Sequence, residues 1–404
     1  MKGRGSMKRI KSCRWLLAAL LLTVGAKSDW VQGLTIQSFD GTGQLSFGAD
    51  SSATNYCIEW ASSPAGPWTN TWNHLLDIPV PVSGVVTCSV PMFYRVVASA
   101  WPYMVIDLSD GPSASSYPVS YLADVPPGGW TDEHKTTKLV MRRISASTPD
   151  FVMGSPESEL GRQTNETQHG VRLTKDFYIG VFEVTQRQWE LVMGNRPSYF
   201  NNSSYYSTRP VEQVSYYDIR ENPANSDDPA ADWPTNTEVN ANSFMGKLRA
   251  KTGLSTFDLP TEAQWEYACR AGTTTALNSG YNLTSTESDP RMDEVGRYWY
   301  NGGSGYTQEG NTSVGTAKVG SYLPNAWGLY DMHGNVWEWC LDWSGAYPST
   351  VTDPPGPSSG SSRILRGGCW YNTAESSRNA QRGTGGLPNY RYNGFGFRLV
   401  RTLP

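Results

Sequence analysis

The stretch GLYDMHGNVWEWCLDW, Gly328 to Trp343, places Trp337, Trp339 and Trp343 beside Asp331, Glu338 and Asp342. A second stretch, FDLPTEAQWEYACRAG from Phe257 to Gly272, is equally dense in aromatic and charged residues. In it Thr261-Glu-Ala-Gln264 follows Pro260 and reads as the capped start of a helix that stops at Gly272. Two more helices can be placed outward from this pair. Thr185 and Gln188 form a capping box ahead of Trp189, Val192 and Met193, with Gly194 as the stop. Phe244, Met245 and Leu248 share one face of a helix expected from about Val239 to Lys251, closed by Gly253. Most of the rest between about 136 and 402 reads as loops, turns and short strands, below the usual share of regular structure. The expected class is therefore α+β, with loops held by side-chain networks, buried tryptophans or bound ions.

The chain has 404 residues, 33 Lys plus Arg and 37 Asp plus Glu, a net charge of −4. Its 16 Trp and 22 Tyr exclude a disordered or collagen-like polymer. Mild acidity argues against a nucleic-acid partner, which would need clustered Lys and Arg. Lys2, Arg4, Lys8, Arg9, Lys11 and Arg14 precede the apolar run WLLAALLLTVGA, Trp15 to Ala26. That run is too short to span a bilayer, which takes about 20 residues, and with its basic flank it reads as a secretory signal cleaved after Ala26. The remaining 27 basic and 37 acidic groups give an acidic exported chain at −10 with no transmembrane segment.

Residues 29–100 read as a small β module. NYCIEWASS, Gly84 to Val90 and Met92 to Val97 carry the strand signals, with Pro64 to Pro67 supplying a turn. Cys57 and Cys88 both fall in expected strands, as an inter-strand disulfide or as two buried thiols. Residues 101–135 are turn-rich and lead into the large domain, 136–402. The segment from Ser344 to Arg363 reads as a low-complexity surface loop. His74, His134, His169 and His333 form no H-x3-H-x-E pattern, and H-E-x-x-H and the P-loop motif are absent from the sequence.

Together with FVMGSPESE (151–159), FYIGVFEVTQRQWE (177–190), RILRGGCW (363–370) and GFGFRLV (394–400), the two dense stretches form an ordered set of six motifs. This set resembles the formylglycine-generating enzyme, or sulfatase-modifying factor, family. The resemblance does not reach residues 1–100. It implies a loop-rich variant of the C-type lectin fold behind the small β module. It also implies an oxidase that converts a sulfatase cysteine to formylglycine with oxygen and copper held by two cysteines. Here those two positions hold Asn372 and Ser377. Soft Cu(I) prefers thiolate to an amide oxygen or a hydroxyl, so copper is not expected and the oxidase activity is not carried over. Cys369 stands at the family's pocket serine. It is the only weak catalytic candidate, and its structural readings are a buried inert thiol or one half of a disulfide with Cys340. Arg378 is the neighbour that could activate it, and Trp337 aligns with a pocket tryptophan. Trp337, Cys369 and Arg378 are thus the expected groove residues.

The resemblance also implies calcium. Asp331 and Glu338 would give carboxylate oxygens, and Gly334 and Val336 backbone carbonyls, a set of hard donors suited to Ca²⁺. By itself the spacing of Asp331 and Glu338 reads as a solvated loop. A second calcium loop would fall at Asn301 to Thr312. The expected protein is an exported family member that binds a polypeptide or glycan through its groove. The alternative is a copper-dependent oxidase.

Overall fold

The computed structural model describes residues 101–147, 149–221, 239–302, 314–347 and 350–403, together with six strands of the N-terminal region. The expected signal, residues 1–26, and Cys88 lie outside the described residues. The chain divides into two compact units, residues 1–101 and Pro102–Leu403. In the first, Ile36–Phe39, Gln44–Phe47 and Val85–Thr87 form one three-stranded antiparallel sheet. Asn55–Ala61, the central strand of a second, pairs antiparallel along its full length with Phe93–Ser99. The alternating sequence NYCIEWA thus forms a strand.

The second unit is built on a six-stranded antiparallel sheet. Its order is Phe257–Asp258, Val400–Thr402, Phe177–Gly180, Lys138–Ile144, Tyr103–Asp107 and Val119–Leu122. The turn-rich lead-in, 101–135, therefore supplies two strands of this sheet. A four-stranded sheet runs Arg382–Gly386, Arg363–Arg366, Trp337–Trp343, Phe395–Gly396. The GFGFRLV motif spans both sheets, since Phe395 and Gly396 edge the smaller and Val400 enters the larger.

Three helices of eight residues or more occur among the described residues. Helix α1, Gln186–Met193, has the expected capping box: Thr185 Oγ1 accepts from Gln188 N, and Gly194 closes the helix at φ 82°. Helix α2 is Phe244–Thr252, capped by Ser243. It starts later than about Val239, because Ser243 offers its hydroxyl to Gly246 N and residues 239–242 lie outside the helix. Helix α3, Glu262–Arg270, carries the second capping box, Thr261 with Gln264. Its left-handed C-terminal residue is Ala271 at φ 45°, one before the expected Gly272.

One large hydrophobic core gathers Trp189, Phe244, Trp339, Trp370 and Phe397, and a second gathers Phe177, Trp265, Leu329 and Ile364. Trp189 stacks on Phe244 at 5.3 Å, tying α1 to α2. No helix among the described residues is long and apolar enough to cross a membrane.

Candidate functional site

The six motifs meet in a buried network of charges. Trp265 Nε1 donates to Glu338 Oε2 at 2.6 Å. Arg398 donates to both oxygens of Glu338, also at 2.6 Å, and to the carbonyls of Gly180 and Tyr330. A second chain runs from Arg270 to Glu266, then Arg366, Glu262 and Arg382, and Gly154 N also donates to Glu266. Arg378 forms a third, to Glu159 at 2.6 Å and Glu166 at 2.8 Å. Charges removed from water need such partners, because an unpaired buried ion costs several kcal/mol.

Arg378 is therefore not the neighbour of Cys369. It is fully buried, and both faces of its guanidinium fork are taken by the SPESE loop and its continuation. Its place explains how a loop with little regular structure is held, which is a packing role and not a groove role.

Cys369 follows Gly367 and Gly368, whose φ values of 95° and 77° permit a turn that other residues would strain. A Cβ on Gly368 would also collide with Ser377. The Cys369 thiol is buried and donates to Asn372 Oδ1 at 2.9 Å. Gly394 lies directly over it: a Cβ there would sit 3.0 Å from the sulfur and 2.7 Å from the Tyr371 ring. Burial pushes the thiol well above its usual range, so the reactive thiolate is suppressed. Of the two structural readings of Cys369, the buried thiol holds and the disulfide with Cys340 does not form. Cys269, Cys340 and Cys369 are all buried free thiols, with Cys340 packed in the second core and Cys369 in the first.

Asn372 and Ser377 occupy the two positions where the resemblance implied copper ligands. Asn372 Oδ1 accepts from the amide and thiol of Cys369, and its carbonyl accepts from Trp299 N. Ser377 Oγ is buried with no hydrogen-bond partner among the described residues. An amide, a hydroxyl and one thiol with a raised pKa do not make a soft-metal site, so this donor set does not fit copper.

Trp337 is 8% exposed and packs in the first core, its amide donating to Gly394 O. Around it the surface is aromatic. Trp370, Tyr371, Tyr392 and Phe395 follow one another at centroid distances of 5.1, 5.5 and 5.6 Å, and Tyr390 lies 6.3 Å from Phe395. Tyr390 is half exposed, and Leu387 beside it is exposed. Among the described residues the side-chain oxygens of Asn389 and Asn393 have no hydrogen-bond partner. Trp370 and Phe395 belong to motifs already identified and are buried, whereas Tyr371, Tyr390 and Tyr392 carry no pattern in the sequence beyond a Tyr- and Asn-rich composition.

Asp331 and Glu338 both lie in the interior, not in a solvated loop. Glu338 Oε2 receives two donors and Oε1 one, leaving a lone pair there for another ligand. Asp331 Oδ2 accepts from Gly320 N at 2.6 Å, while its buried Oδ1 has no partner. Glu183 joins them, held by Asn335 Nδ2 at 2.6 Å and Val336 N at 3.2 Å. Burial raises Asp331 to about 6 and Glu183 well above its usual value, with Asp331 and Glu338 repelling Glu183. Arg398 offsets part of this charge, and Lys135 lies near Asp331. Among the described residues no three carboxylate, histidine or cysteine side chains converge closely enough to hold a metal ion, so these carboxylates are not a preformed cation site. Gly334 and Val336 lie in the same segment, Gly334 at φ 74°. Most of the expected second loop, 303–313, is outside the described residues.

His333, between Asp331 and Gly334, is structural. Its Nδ1 bonds Ser377 O at 2.6 Å, and its Nε2 accepts from Asn278 N. Burial lowers it to about 4, so the ring is neutral.

The family called Sulfatase-modifying factor enzyme 1-like domain matches residues 133–403. The Chaperone protein LppX of Paenibacillus barcinonensis is 35% identical over 248 residues, 56% of this chain and 80% of that protein. The formylglycine-generating enzyme of Thermomonospora curvata is 40% identical over 123 residues, 27% of this chain and 37% of that enzyme. Its Streptomyces coelicolor counterpart is covered over 35% of its length, so these enzymes are matched over little more than a third. Among solved structures, Treponema denticola variable protein 1 superposes with a TM-score of 0.50 at 28% identity, covering 66% of this chain and 95% of that one.

Proposed function

The chain belongs to the sulfatase-modifying factor family, and we propose that within it this protein is an exported binding module that lacks copper oxidase activity. The observation that carries this reading is the closed thiol segment. Cys369 is covered by Gly394 and Tyr371 and hydrogen-bonded to Asn372, while the second ligand position holds a buried serine. An oxidase needs an accessible thiolate pair and room for a substrate cysteine. Neither is compatible with this packing.

A polypeptide or glycan ligand would lie on the aromatic surface of Tyr371, Tyr390 and Tyr392. Rings with a polar edge next to amide side chains suit recognition at low cost in side-chain entropy. The Paenibacillus relative is named a chaperone protein, which supports a binding role. A structural calcium ion would be held by Asp331 and Glu338 with the carbonyls of Gly334 and Val336. It would draw the buried negative charge of this cluster together with the loops that carry it. The basic and apolar N-terminal stretch is the motive for export.

Peptide and glycan arrays probed with the full chain and with Tyr390→Ala test the reading. Binding that is lost in the variant is the expected result. Formylglycine production from a sulfatase-type cysteine peptide by the copper-loaded protein would overturn it.

A further inference from the structure

Ala346, Tyr347 and residues 354–357, from a stretch featureless as sequence, wall a cavity of about 340 Å³ against the start of α3 and the end of the Trp337–Trp343 strand. This volume lies in the range of small-molecule sites. Met153, Ala263, Tyr347 and the prolines 354, 355 and 357 make most of its wall apolar. Besides Tyr347, four charged or titratable side chains reach it: His169, Glu262, Asp342 and Arg382.

Two of the four are committed. Arg382 donates to both oxygens of Glu262, at 2.7 and 2.8 Å, and to the carbonyls of Asn165 and Gly345. Glu262 also accepts from Tyr347 Oη at 3.1 Å and pairs with Arg366. An anionic ligand would therefore find no free guanidinium edge of any size.

The other two keep lone pairs. Asp342 uses Oδ2 to accept from Glu262 N at 2.7 Å, where the first-turn amides of α3 lack helical partners. Among the described residues no donor bonds Oδ1, and a Cβ on Gly356 would sit 2.8 Å from it, so the loop crosses the carboxyl at glycine distance. His169 bonds Thr167 O through Nδ1 and packs its ring at 4.4 Å from Tyr347. The Thr167 carbonyl can only accept, so Nδ1 carries a proton, and Nε2 is the ring nitrogen left for a ligand.

An apolar enclosure whose uncommitted polar groups are a carboxyl oxygen and an imidazole nitrogen selects a ligand that donates. We propose that this cavity is a binding site for a small organic ammonium ion, its charged head on Asp342 and His169 and its apolar body against Tyr347, Ala263 and the prolines. This site is separate from the aromatic surface and does not depend on the function proposed for it.

The proposal carries a pH signature. Burial and the nearby Glu262 hold Asp342 up to about 7, opposed by the Glu262 amide, Arg382 and Arg363. His169 and Tyr347 are the other titratable groups on the cavity wall. A cation binds the ionised carboxylate, so its affinity rises with pH up to about 7 and falls roughly tenfold per pH unit below it.

The test is ligand-observed NMR on the full chain with n-butylammonium, n-butanol and butyrate between pH 5 and 8. The expected result is binding of the ammonium ion alone or well ahead of the alcohol, stronger at pH 8 than at pH 6 by about tenfold. Asp342→Asn keeps an oxygen for Glu262 N and should weaken n-butylammonium at least tenfold while flattening the profile. Equal binding of alcohol and ammonium, undiminished binding by the variant, or no ammonium binding at pH 8 would each overturn the proposal. Should the variant not fold, the wild-type profile decides, and a flat one overturns it.

Discussion

The buried charges around Glu338 and the residues around Cys369 are both cut off from water, but they are finished differently. At Glu338 the carboxylate is held by strong donors: Arg398 and Trp265 bond it, and Arg366 bridges Glu266 and Glu262. At Cys369 the polar groups are weak and incompletely satisfied, with a thiol on an amide oxygen and Ser377 Oγ without a partner. Strong ion pairs explain why the motifs that build the first region cannot drift singly, since removing one member strands another. The second region carries no such constraint, and Asn372 and Ser377 stand there beside a buried thiol. Family membership is therefore written in the frame, and the activity has to be read from the segment inside it.

The contrast is broken most severely at Arg398. Arg398→Met leaves Glu338, Glu183 and Asp331 without their main counter-charge and should cost about 3–5 kcal/mol or abolish cooperative unfolding. Urea denaturation checks this, and a change under about 1 kcal/mol would mean that the network is not what holds the frame.

A smaller effect is expected at Glu212, a buried carboxylate raised to about 8 by desolvation although Tyr199 N and Phe200 N donate to it. A carboxyl raised in the folded state contributes stability that is fully present below its unfolded value, near 4.5, and is lost as pH rises to about 8. Glu212→Gln should therefore gain on the wild type by up to a few kcal/mol across this window. A constant difference between the two proteins from pH 5 to 8 would count against a protonated Glu212.

Cys369→Ala should be milder, about 1 kcal/mol of lost packing, because no catalytic or disulfide role goes with the thiol. In the same preparation, Cys269, Cys340 and Cys369 should resist maleimide in the folded protein and label after unfolding, as mass spectrometry would show. Rapid labelling of Cys369 in the native state would bring the two regions into one class, that of poised chemistry. Smallest of all, Tyr390→Ala should leave stability within about 0.5 kcal/mol while weakening ligand binding, since the ring is half exposed.

Local signals in the sequence were reliable where one or two neighbouring residues decide the geometry. The capping boxes of Thr185 and Thr261 form as their spacing requires. The start of α2 was misplaced because Ser243, the true cap, competes with apolar residues upstream that look helical. The pairing of Arg378 with Glu159 and Glu166 was not legible, since the partners stand more than 200 residues apart and Arg378 resembles any surface arginine. Asp331 looked like a loop residue for the same reason: its burial comes from strands and turns distant in sequence. The cavity under Tyr347 and residues 354–357 was invisible, because a loop of Pro, Gly and Ser has no pattern until Asp342 gives it a surface to lie on.

The central claim is that the thiol segment has no metal-binding chemistry left. Elemental analysis of residues 27–404 after exposure to Cu(I) and Ca²⁺ and thorough washing tests it most directly. The account predicts calcium near one equivalent and no retained copper. Stoichiometric copper that disappears in Cys369→Ala would contradict it and place an oxidase site where the structure has a closed core.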